Sequence, residues 1–225
     1  MLTFKRNRGF FGIFAFIIKN KEKKMLDPDS QLMLKFKSGD TISFEKLVKK
    51  YKEKIVNVIY QFIGDKEEAE DLAIEVFLRV YRARKRYKPR AKFTTWLYKI
   101  AANLCLNEIR KKARFQTVSL SESIPSEAEE KLMLIEKIAN SSPSPQDILE
   151  EKERNTLIRK AIDSLPAKQR IAIILQIYEG LSYKEISKIL NCSVKSVERR
   201  LYRARTNLKE KLAPYLKGEK YNGGF

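Results

Sequence analysis

Apolar side chains recur at helical spacing along most of this chain, and no segment alternates in the manner of a strand. The clearest example follows Ser43, where apolar residues return every three or four positions as far as Phe62 and share one helical face. Gly64 then suits a left-handed cap, and Asp65 with Glu68 gives the start signal of another helix. The sequence therefore predicts an all-α protein.

Four such helical patterns fall within residues 25–114. The first is expected to begin at an Asp29 cap, and the last runs from Phe93 to Arg114 after Pro89 breaks the chain. Amphipathic helices with short connections favour one compact helical domain.

The helix predicted from Phe93 to Arg114 combines an apolar face with other chemistry. Trp96, Asn103 and Asn107 add an aromatic plane and amide edges, which are groups that stack on or hydrogen-bond to unpaired bases. Four cations crowd its C-terminal end, where they complement the helix dipole and can meet phosphates. The alternative is an ordinary amphipathic helix with a core Trp and a solvated basic end, and this segment alone leaves both interpretations open.

A second nucleic-acid signature runs from Leu165 to Leu208. Ser182 and Glu185 form a capping box that begins a short helix, Asn191 and Cys192 make a tight turn, and Ser193 caps a longer helix. This order is typical of a helix-turn-helix, whose later helix enters the major groove of DNA. That helix carries mostly cationic and polar side chains: Lys195, Ser196, Glu198, Arg199, Arg200, Tyr202, Arg203 and Arg205.

The charge balance indicates an anionic partner. The chain has 47 Lys and Arg against 28 Asp and Glu, a net charge of +19, which favours nucleic acid or an anionic membrane surface. Histidine is absent from the sequence, which removes most zinc sites and the usual general base. Cys105 and Cys192 lack ligand spacing and are expected to be reduced thiols in a cytoplasmic protein. We expect no metal, no cofactor and no catalytic site.

Three further segments lie outside the two sets of predicted helices. Residues 115–150 are rich in Ser and Pro, which is linker composition, and residues 216–225 form a tail after a second domain over residues 151–215. Residues 1–24 carry an apolar run from Phe10 to Ile18 that is too short to span a bilayer comfortably. We favour a dispensable or non-native extension ahead of a start at Met25, and a membrane-surface anchor is the alternative.

Two stretches, from Asp65 to Arg114 and from Leu165 to Leu208, resemble regions 2 and 4 of bacterial sigma factors. Two modules without a match to the intervening third region are similar to the extracytoplasmic-function group of the sigma-70 family. The resemblance covers roughly residues 28–114 and 150–212. It implies a promoter-specificity subunit of RNA polymerase, whose region 2 recognises the −10 element and helps to open the duplex and whose region 4 reads the −35 element. It also implies that the chain has no enzymatic activity of its own.

The resemblance assigns roles to particular side chains. In the first module the implied −10 contacts are Trp96, Lys99, Asn103, Asn107 and Arg110. Trp96 suits packing of the domain as well as insertion into DNA. In the second module the implied −35 contacts are Lys195, Ser196, Glu198, Arg199, Tyr202 and Arg203, with Arg170, Tyr183 and Lys184 on backbone phosphates. Glu198 either accepts from a cytosine amino group, orders a neighbouring arginine or only faces solvent.

The acidic start of the third helix is expected to bind a protein rather than DNA. The resemblance implies docking on the clamp helices of RNA polymerase, for which we favour Asp71, Glu75 and Phe77. Ile74 stands where family members often carry Gln, which puts one contact with the polymerase in doubt. The alternative is that these carboxylates only complement the helix dipole.

The expected partners are core RNA polymerase, promoter DNA and an anti-sigma factor, which in this group is often membrane-bound. Other classes of function remain alternatives. A stand-alone helix-turn-helix regulator needs only the second module, and it leaves the basic, aromatic helix of the first unexplained. A nucleic-acid enzyme needs clustered carboxylates or a Ser or Tyr nucleophile. A membrane-tethered regulator depends on residues 1–24.

Overall fold

The computed structural model describes residues 26–118 and 145–216, and side chains within residues 26–114 and 153–215. Every regular element in these ranges is helical, which confirms the all-α prediction. The first domain contains α1 (Pro28–Lys37), α2 (Thr41–Ile63), α3 (Lys66–Ala83), a 3-10 turn (Arg84–Arg86) and α4 (Phe93–Val118). The second contains α5 (Pro145–Asp163), α6 (Ala167–Ile177), α7 (Tyr183–Ile189) and α8 (Val194–Leu216).

The predicted domain limits remain predictions, because much of the predicted linker lies outside the described residues, as do the N-terminal extension and the residues after Leu216. Two helix ends reach into the predicted linker. Helix α4 continues past Arg114 to Val118, and α5 begins at Pro145.

Helix α2 is the centre of the first domain and contacts α1, α3 and α4. Its apolar face is buried as the spacing predicts, and burial of such side chains is the main favourable term in folding. The largest fully buried side chains of this domain are Met33, Phe36, Leu47, Ile55, Ile59, Phe62, Phe93 and Leu97.

The predicted cap of the first helix is wrong. Asp27 is the N-cap and accepts hydrogen bonds from the Ser30 N–H at 3.1 Å and the Ser30 hydroxyl at 2.6 Å, because Pro28 fits the first helical position. The carboxylate of Asp29 is buried instead. It accepts from Lys50 Nζ at 2.7 Å and from the Tyr51 hydroxyl at 2.6 Å, which ties α1 to α2.

The turn between α2 and α3 has the predicted geometry. Gly64 has a φ of +96° and closes α2, and Asp65 accepts from the Glu68 N–H at 2.8 Å to begin α3. Helix α2 itself begins earlier than the apolar pattern suggested, with Asp40 capping the Ser43 N–H at 3.2 Å.

The second domain buries α6 and holds the helix-turn-helix around it. Residues 171–175 of α6 are all buried, and α6 contacts α7 and α8. The inward side chains of the helix-turn-helix are Ile186, Ile189, Val197, Leu201 and Ala204.

The two domains pack against each other. Helix α6 contacts both α2 and α4, and α4 also contacts α7, so one buried cluster continues from Phe62 to Leu165. The sequence pattern predicted two domains but not this docking, since no local periodicity encodes contacts between distant segments.

Candidate nucleic-acid interface

A basic groove of about 900 Å³ lies beside the start of α4. Five of its lining residues are cationic, and among the described residues no carboxylate lines it. An anionic chain is favoured in such a groove, since Lys and Arg neutralise phosphates. The lining residues are Ala83, Arg86, Tyr87, Lys88, Arg90, Ala91, Thr95, Trp96, Lys99 and Lys188.

Trp96 both packs the domain and lines the groove. Its ring centroid lies 5.0 Å from that of Tyr87 and 6.0 Å from that of Phe93, and the side chain is only half-buried. The packing interpretation of Trp96 is therefore realised in part, and its contact with DNA stays a prediction. One part of the indole belongs to an aromatic cluster, and the rest lies at a surface where a base can stack.

The loop before α4 is held in place by buried polar contacts. The Tyr87 hydroxyl lies 3.0 Å from the Ser30 hydroxyl, and Lys37 Nζ donates to the Tyr87 carbonyl at 3.0 Å. Burial raises the pKa of the Tyr87 phenol, so the hydroxyl stays protonated at neutral pH. These bonds fix the floor of the groove against α1.

The other predicted residues of α4 continue from the groove along one side of the helix. Lys99, Asn103 and Asn107 are four residues apart, so they follow each other turn by turn. Asn103, Asn107 and Arg110 are exposed, and Arg110 Nη1 donates to Asn107 Oδ1 at 3.1 Å. The structure thus brings all five predicted −10 residues to one edge of the first domain.

The predicted helix-turn-helix has the expected local geometry. The Ser182 hydroxyl accepts from the Glu185 N–H at 3.3 Å, and a Glu185 carboxylate oxygen accepts from the Ser182 N–H at 3.1 Å. Asn191 has a φ of +48°, which Asn tolerates better than most residues, and Ser193 accepts from the Ser196 N–H at 3.2 Å. The capping signals therefore locate both helices correctly.

The outer face of α8 is open and cationic. Lys195, Arg199 and Arg203 are exposed at four-residue intervals, and within the described residues no hydrogen bond or ion pair engages their side chains. Tyr202 is 71 % exposed beside them. Glu198 is exposed as well and forms no ion pair within that part of the chain. The interpretation of Glu198 as an organiser of a neighbouring arginine is therefore not realised in this structure.

Two other arginines of α8 have structural contacts instead. Arg200 Nη1 donates to Cys192 Sγ at 3.4 Å, which braces the turn. Arg205 Nη2 donates to Gln176 Oε1 at 2.9 Å, and its Nη1 lies 3.4 Å from the Tyr183 hydroxyl. Tyr183 is half-buried and already partnered, whereas Lys184 next to it is exposed.

Arg170 does not lie at the surface as a phosphate contact requires. Its side chain is only 12 % exposed, and it donates to the Phe62 carbonyl at 3.0 Å and to the Asp163 carbonyl. Its guanidinium also lies 3.4 Å from the Asp163 carboxylate. The prediction that Arg170 contacts DNA fails in this conformation, because the guanidinium fills the boundary between the domains.

The predicted polymerase-binding face of α3 needs one correction. Asp71 is exposed, and Glu75 pairs with Arg79 at 2.8 Å, a hydrogen bond that lowers the pKa of Glu75. Phe77, however, is only 8 % exposed and belongs to the core, as expected from its place in the apolar stripe of α3.

The exposed apolar side chains of α3 are Ile74, at 59 %, and Leu78, at 42 %. They lie one turn apart beside the carboxylates. The sequence already indicates that Ile74 is exposed, because it is an apolar residue that lies outside the buried stripe of α3.

Cys105 is a free and buried thiol in the described part of the chain. Burial raises the pKa of the Cys105 thiol to about 12, so it is not a nucleophile at neutral pH. Among the described residues no cluster of His, Cys, Asp or Glu has the arrangement of a metal site. None of the helices within residues 26–118 and 145–216 is long and apolar enough to cross a membrane.

Two helical domains, one with a basic aromatic groove and one with a helix-turn-helix, define a DNA-binding protein of the transcription machinery. Residues 47–115 match the family Sigma-70 region 2, and residues 155–208 match Sigma-70 region 4. The chain is 33 % identical over 194 residues to the RNA polymerase sigma-H factor of Pseudomonas aeruginosa, covering 85 % of this chain and 97 % of the relative.

Other matches agree with this result. The ECF RNA polymerase sigma factor SigW of Bacillus subtilis is 35 % identical over 176 residues, which cover 78 % of this chain and 92 % of SigW. The fold is similar to that of the sigma factor RpoE solved with the anti-sigma factor NepR from Bartonella quintana, with a TM-score of 0.56 and 24 % identity over 76 % of this chain and 96 % of that one. The chain belongs to the extracytoplasmic-function group of the sigma-70 family.

Proposed function

We propose that this chain is a promoter-specificity subunit that directs bacterial core RNA polymerase to its start sites. The observation that carries the proposal is the presence of two separate DNA-facing surfaces in one chain. One is the groove beside Trp96, and the other is the open face of α8. A stand-alone regulator has a use for the second surface but not for the first.

The first surface suits bases that have left the duplex. Opening DNA costs a few kcal/mol per unstacked base, and stacking with hydrogen bonds to base edges offsets that cost. Trp96 supplies an aromatic wall, Asn103 and Asn107 supply amide edges, and Lys99 and Arg110 supply positive charge for phosphates. We assign this surface to the −10 element.

The second surface suits intact duplex. A helix with unpartnered cations can fork onto guanine in the major groove, and the exposed carboxylate of Glu198 can accept from a cytosine amino group. The exposed side chains of this face are Lys195, Arg199, Tyr202 and Arg203, with the half-buried Ser196 beside them. We assign this face to the −35 element, with Lys184 on a backbone phosphate.

The third surface suits the polymerase itself. On α3, Asp71 and the Arg79-paired Glu75 flank the exposed Ile74 and Leu78, which gives an apolar centre with a rim of mixed charge. An exposed apolar patch with a polar rim is typical of a protein interface. We assign it to core polymerase, with Phe77 supporting it from the core.

The rest of the proposal follows from this role. The chain has no chemistry of its own and works only with the catalytic polymerase. It acts in the cytoplasm, where the polymerase and the chromosome are. A regulatory protein of the anti-sigma class, in some members of the group membrane-bound, is a further proposed partner, as the family resemblance implies.

The test is selection of DNA from a library with randomised upstream sequence. Core polymerase with the full chain is expected to retain DNA that shares two short motifs at a fixed separation. The variant Arg199→Ala with Arg203→Ala is expected to lose preference only in the upstream motif, and Asn103→Ala with Asn107→Ala only in the downstream one.

Selection of a single motif by the chain alone, with no contribution from core, overturns the proposal in favour of a stand-alone regulator. Core polymerase without the chain gives the background level of DNA retention.

A further inference from the structure

We propose that Ser30 and Tyr87 are positioning residues of the groove beside Trp96. A hydrogen-bond network from the N-cap of α1 to Tyr87 holds the indole where an unpaired base can stack. The inference deepens the proposed function and rests on it for its biological meaning. It extends the site to α1, which precedes residues 47–115, the part of the first domain that matches Sigma-70 region 2.

Ser30 makes one contact more than a capping residue needs. Its backbone N–H and its hydroxyl both donate to the Asp27 carboxylate, at 3.1 and 2.6 Å, which completes the cap of α1. The same hydroxyl oxygen lies 3.0 Å from the hydroxyl of Tyr87, which is 57 residues away in the sequence. Because serine has one hydroxyl hydrogen and gives it to Asp27, the Tyr87 hydroxyl is the donor in the second bond. Tyr87 therefore donates to Ser30 and Ser30 donates to Asp27, and we call these bonds the Asp27–Ser30–Tyr87 network.

Helix α1 holds Tyr87 at both of its ends. Lys37 Nζ donates to the Tyr87 carbonyl at 3.0 Å, and Ser30 holds the hydroxyl at the tip of the ring. Ser30 and Lys37 lie two helical turns apart on α1. The side chains of Ser30 and Tyr87 are both buried, so water does not compete for the bond between them. The backbone and the ring of Tyr87 are therefore fixed by one helix.

Trp96 packs against the ring that this network holds. The centroids of Tyr87 and Trp96 are 5.0 Å apart at an interplanar angle of 55°, which is closer than the 6.0 Å between Trp96 and Phe93. Tyr87 and Trp96 both line the groove, whereas Phe93 is fully buried. The orientation of the indole at the groove therefore depends on Tyr87 and, through Tyr87, on the cap of α1. A stacking surface that is already in place loses less freedom when it binds, which favours capture of a base.

Helix α2 contains the same kind of cap without the contact to Tyr87. Asp40 accepts from the Ser43 N–H at 3.2 Å and from the Ser43 hydroxyl at 2.7 Å, and Ser43 is also buried. Among the described residues the Ser43 hydroxyl has no second hydrogen-bond partner. Ser43→Ala thus removes the same hydroxyl bond to a capping aspartate as Ser30→Ala does, and it leaves Tyr87 in place. It is the matched control.

Motion of Trp96 in the free full chain is the first readout, because Trp96 is the single tryptophan of the sequence. Decay of fluorescence anisotropy separates local motion of the indole from tumbling of the protein. Ser30→Ala and Tyr87→Phe are each expected to increase the fast local component, and Ser43→Ala is expected to leave it as in the wild type. The double variant of Ser30→Ala with Tyr87→Phe is expected to match the single variants, because both substitutions break the same bond.

Selection of DNA by core polymerase carrying each form of the chain is the second readout. Loss of a buried hydrogen bond shifts an equilibrium by about tenfold, so Ser30→Ala and Tyr87→Phe are each expected to lower enrichment of the downstream motif about tenfold. Enrichment of the upstream motif, which we assign to α8, is expected to stay at the wild-type level. A general loss of folding would lower both. Ser43→Ala is expected to retain both motifs.

The outcomes separate this inference from the proposed function. Unchanged motion of Trp96 in Ser30→Ala or Tyr87→Phe, an equal effect of Ser43→Ala, or unchanged enrichment of the downstream motif each overturns the positioning role. Equal loss of both motifs overturns it too, since the defect would then lie in the whole fold. If the wild type selects no motif with core polymerase, the proposed function fails instead, and the motion of Trp96 alone decides whether the network holds the indole.

Discussion

Three cations on the outer face of α8 give the most quantitative prediction. Lys195, Arg199 and Arg203 are exposed and without intramolecular partners among the described residues, so each is available for one phosphate or base contact. Each neutralised phosphate contributes about 0.9 to the slope of log affinity against log salt. Replacing all three by Gln is expected to make that slope less steep by about 0.9 for each phosphate contact removed, and by about 2.7 when all three contact phosphates.

The difference in slope between the wild type and the triple variant is large enough to measure over a modest range of salt concentration. Between 50 and 200 mM salt, a slope difference of about 2.7 means that the wild type loses about 40-fold more affinity than the triple variant. The assay is fluorescence anisotropy of labelled promoter DNA with polymerase carrying either form of the chain. Core polymerase contributes equally to both slopes, so its contribution cancels when one slope is subtracted from the other.

The matched control replaces Lys46, Lys49 and Lys52 by Gln. These lysines are exposed on α2 and do not line the groove beside Trp96, and their replacement changes net charge by the same amount. The control is expected to keep the wild-type slope. Equal slopes for all three proteins, or an equal reduction in both variants, would refute the reasoning, since the effect would then be absent or depend on total charge alone.

Three further predictions concern the helix caps, the polymerase surface and the thiols. Ser182→Ala removes the capping box and is expected to lower the free energy of unfolding by about 1 kcal/mol in urea titrations; an unchanged unfolding midpoint contradicts this. Ile74→Asp is expected to weaken binding to core polymerase at least tenfold, by about 1.4 kcal/mol, without a change in melting temperature, because Ile74 is exposed; unaltered affinity removes α3 from the interface. In the native protein at pH 8, Cys192 is expected to react with a thiol reagent, whereas Cys105 is expected to react only after unfolding, because burial raises the pKa of the Cys105 thiol. Equal reaction rates of the two cysteines would contradict the burial of Cys105.

Local rules predicted most of the helices and their ends. The turn at Gly64 and the capping box at Ser182 depend on neighbouring residues alone, so their spacing in the sequence was sufficient. The start of α1 failed because Asp27 and Asp29 are both plausible caps. Pro28 and the buried partners of Asp29 decide between them, and those partners come from another helix.

The site was predicted where exposure follows from helical position. The outer residues of α8 and the polar edge of α4 lie where the periodicity places them. Phe77 was assigned to the polymerase contact, although its position in the sequence falls on the buried apolar stripe of α3. Ile74 is the neighbouring apolar residue that lies outside that stripe and is exposed.

Arg170 was beyond prediction for a different reason. One of its hydrogen-bond acceptors is the Phe62 carbonyl, which lies in the other domain. Such long-range contacts depend on how whole domains dock, and no local pattern in the chain specifies that arrangement.

The central claim is that this chain directs core polymerase to specific promoters. The most direct test is initiation in vitro from a promoter recovered by the library selection, with core polymerase, the full chain or both. Transcripts that start at one position only when both are present, and that disappear when either motif is scrambled, are the predicted result. Specific DNA binding by the chain without any dependent initiation would contradict the claim.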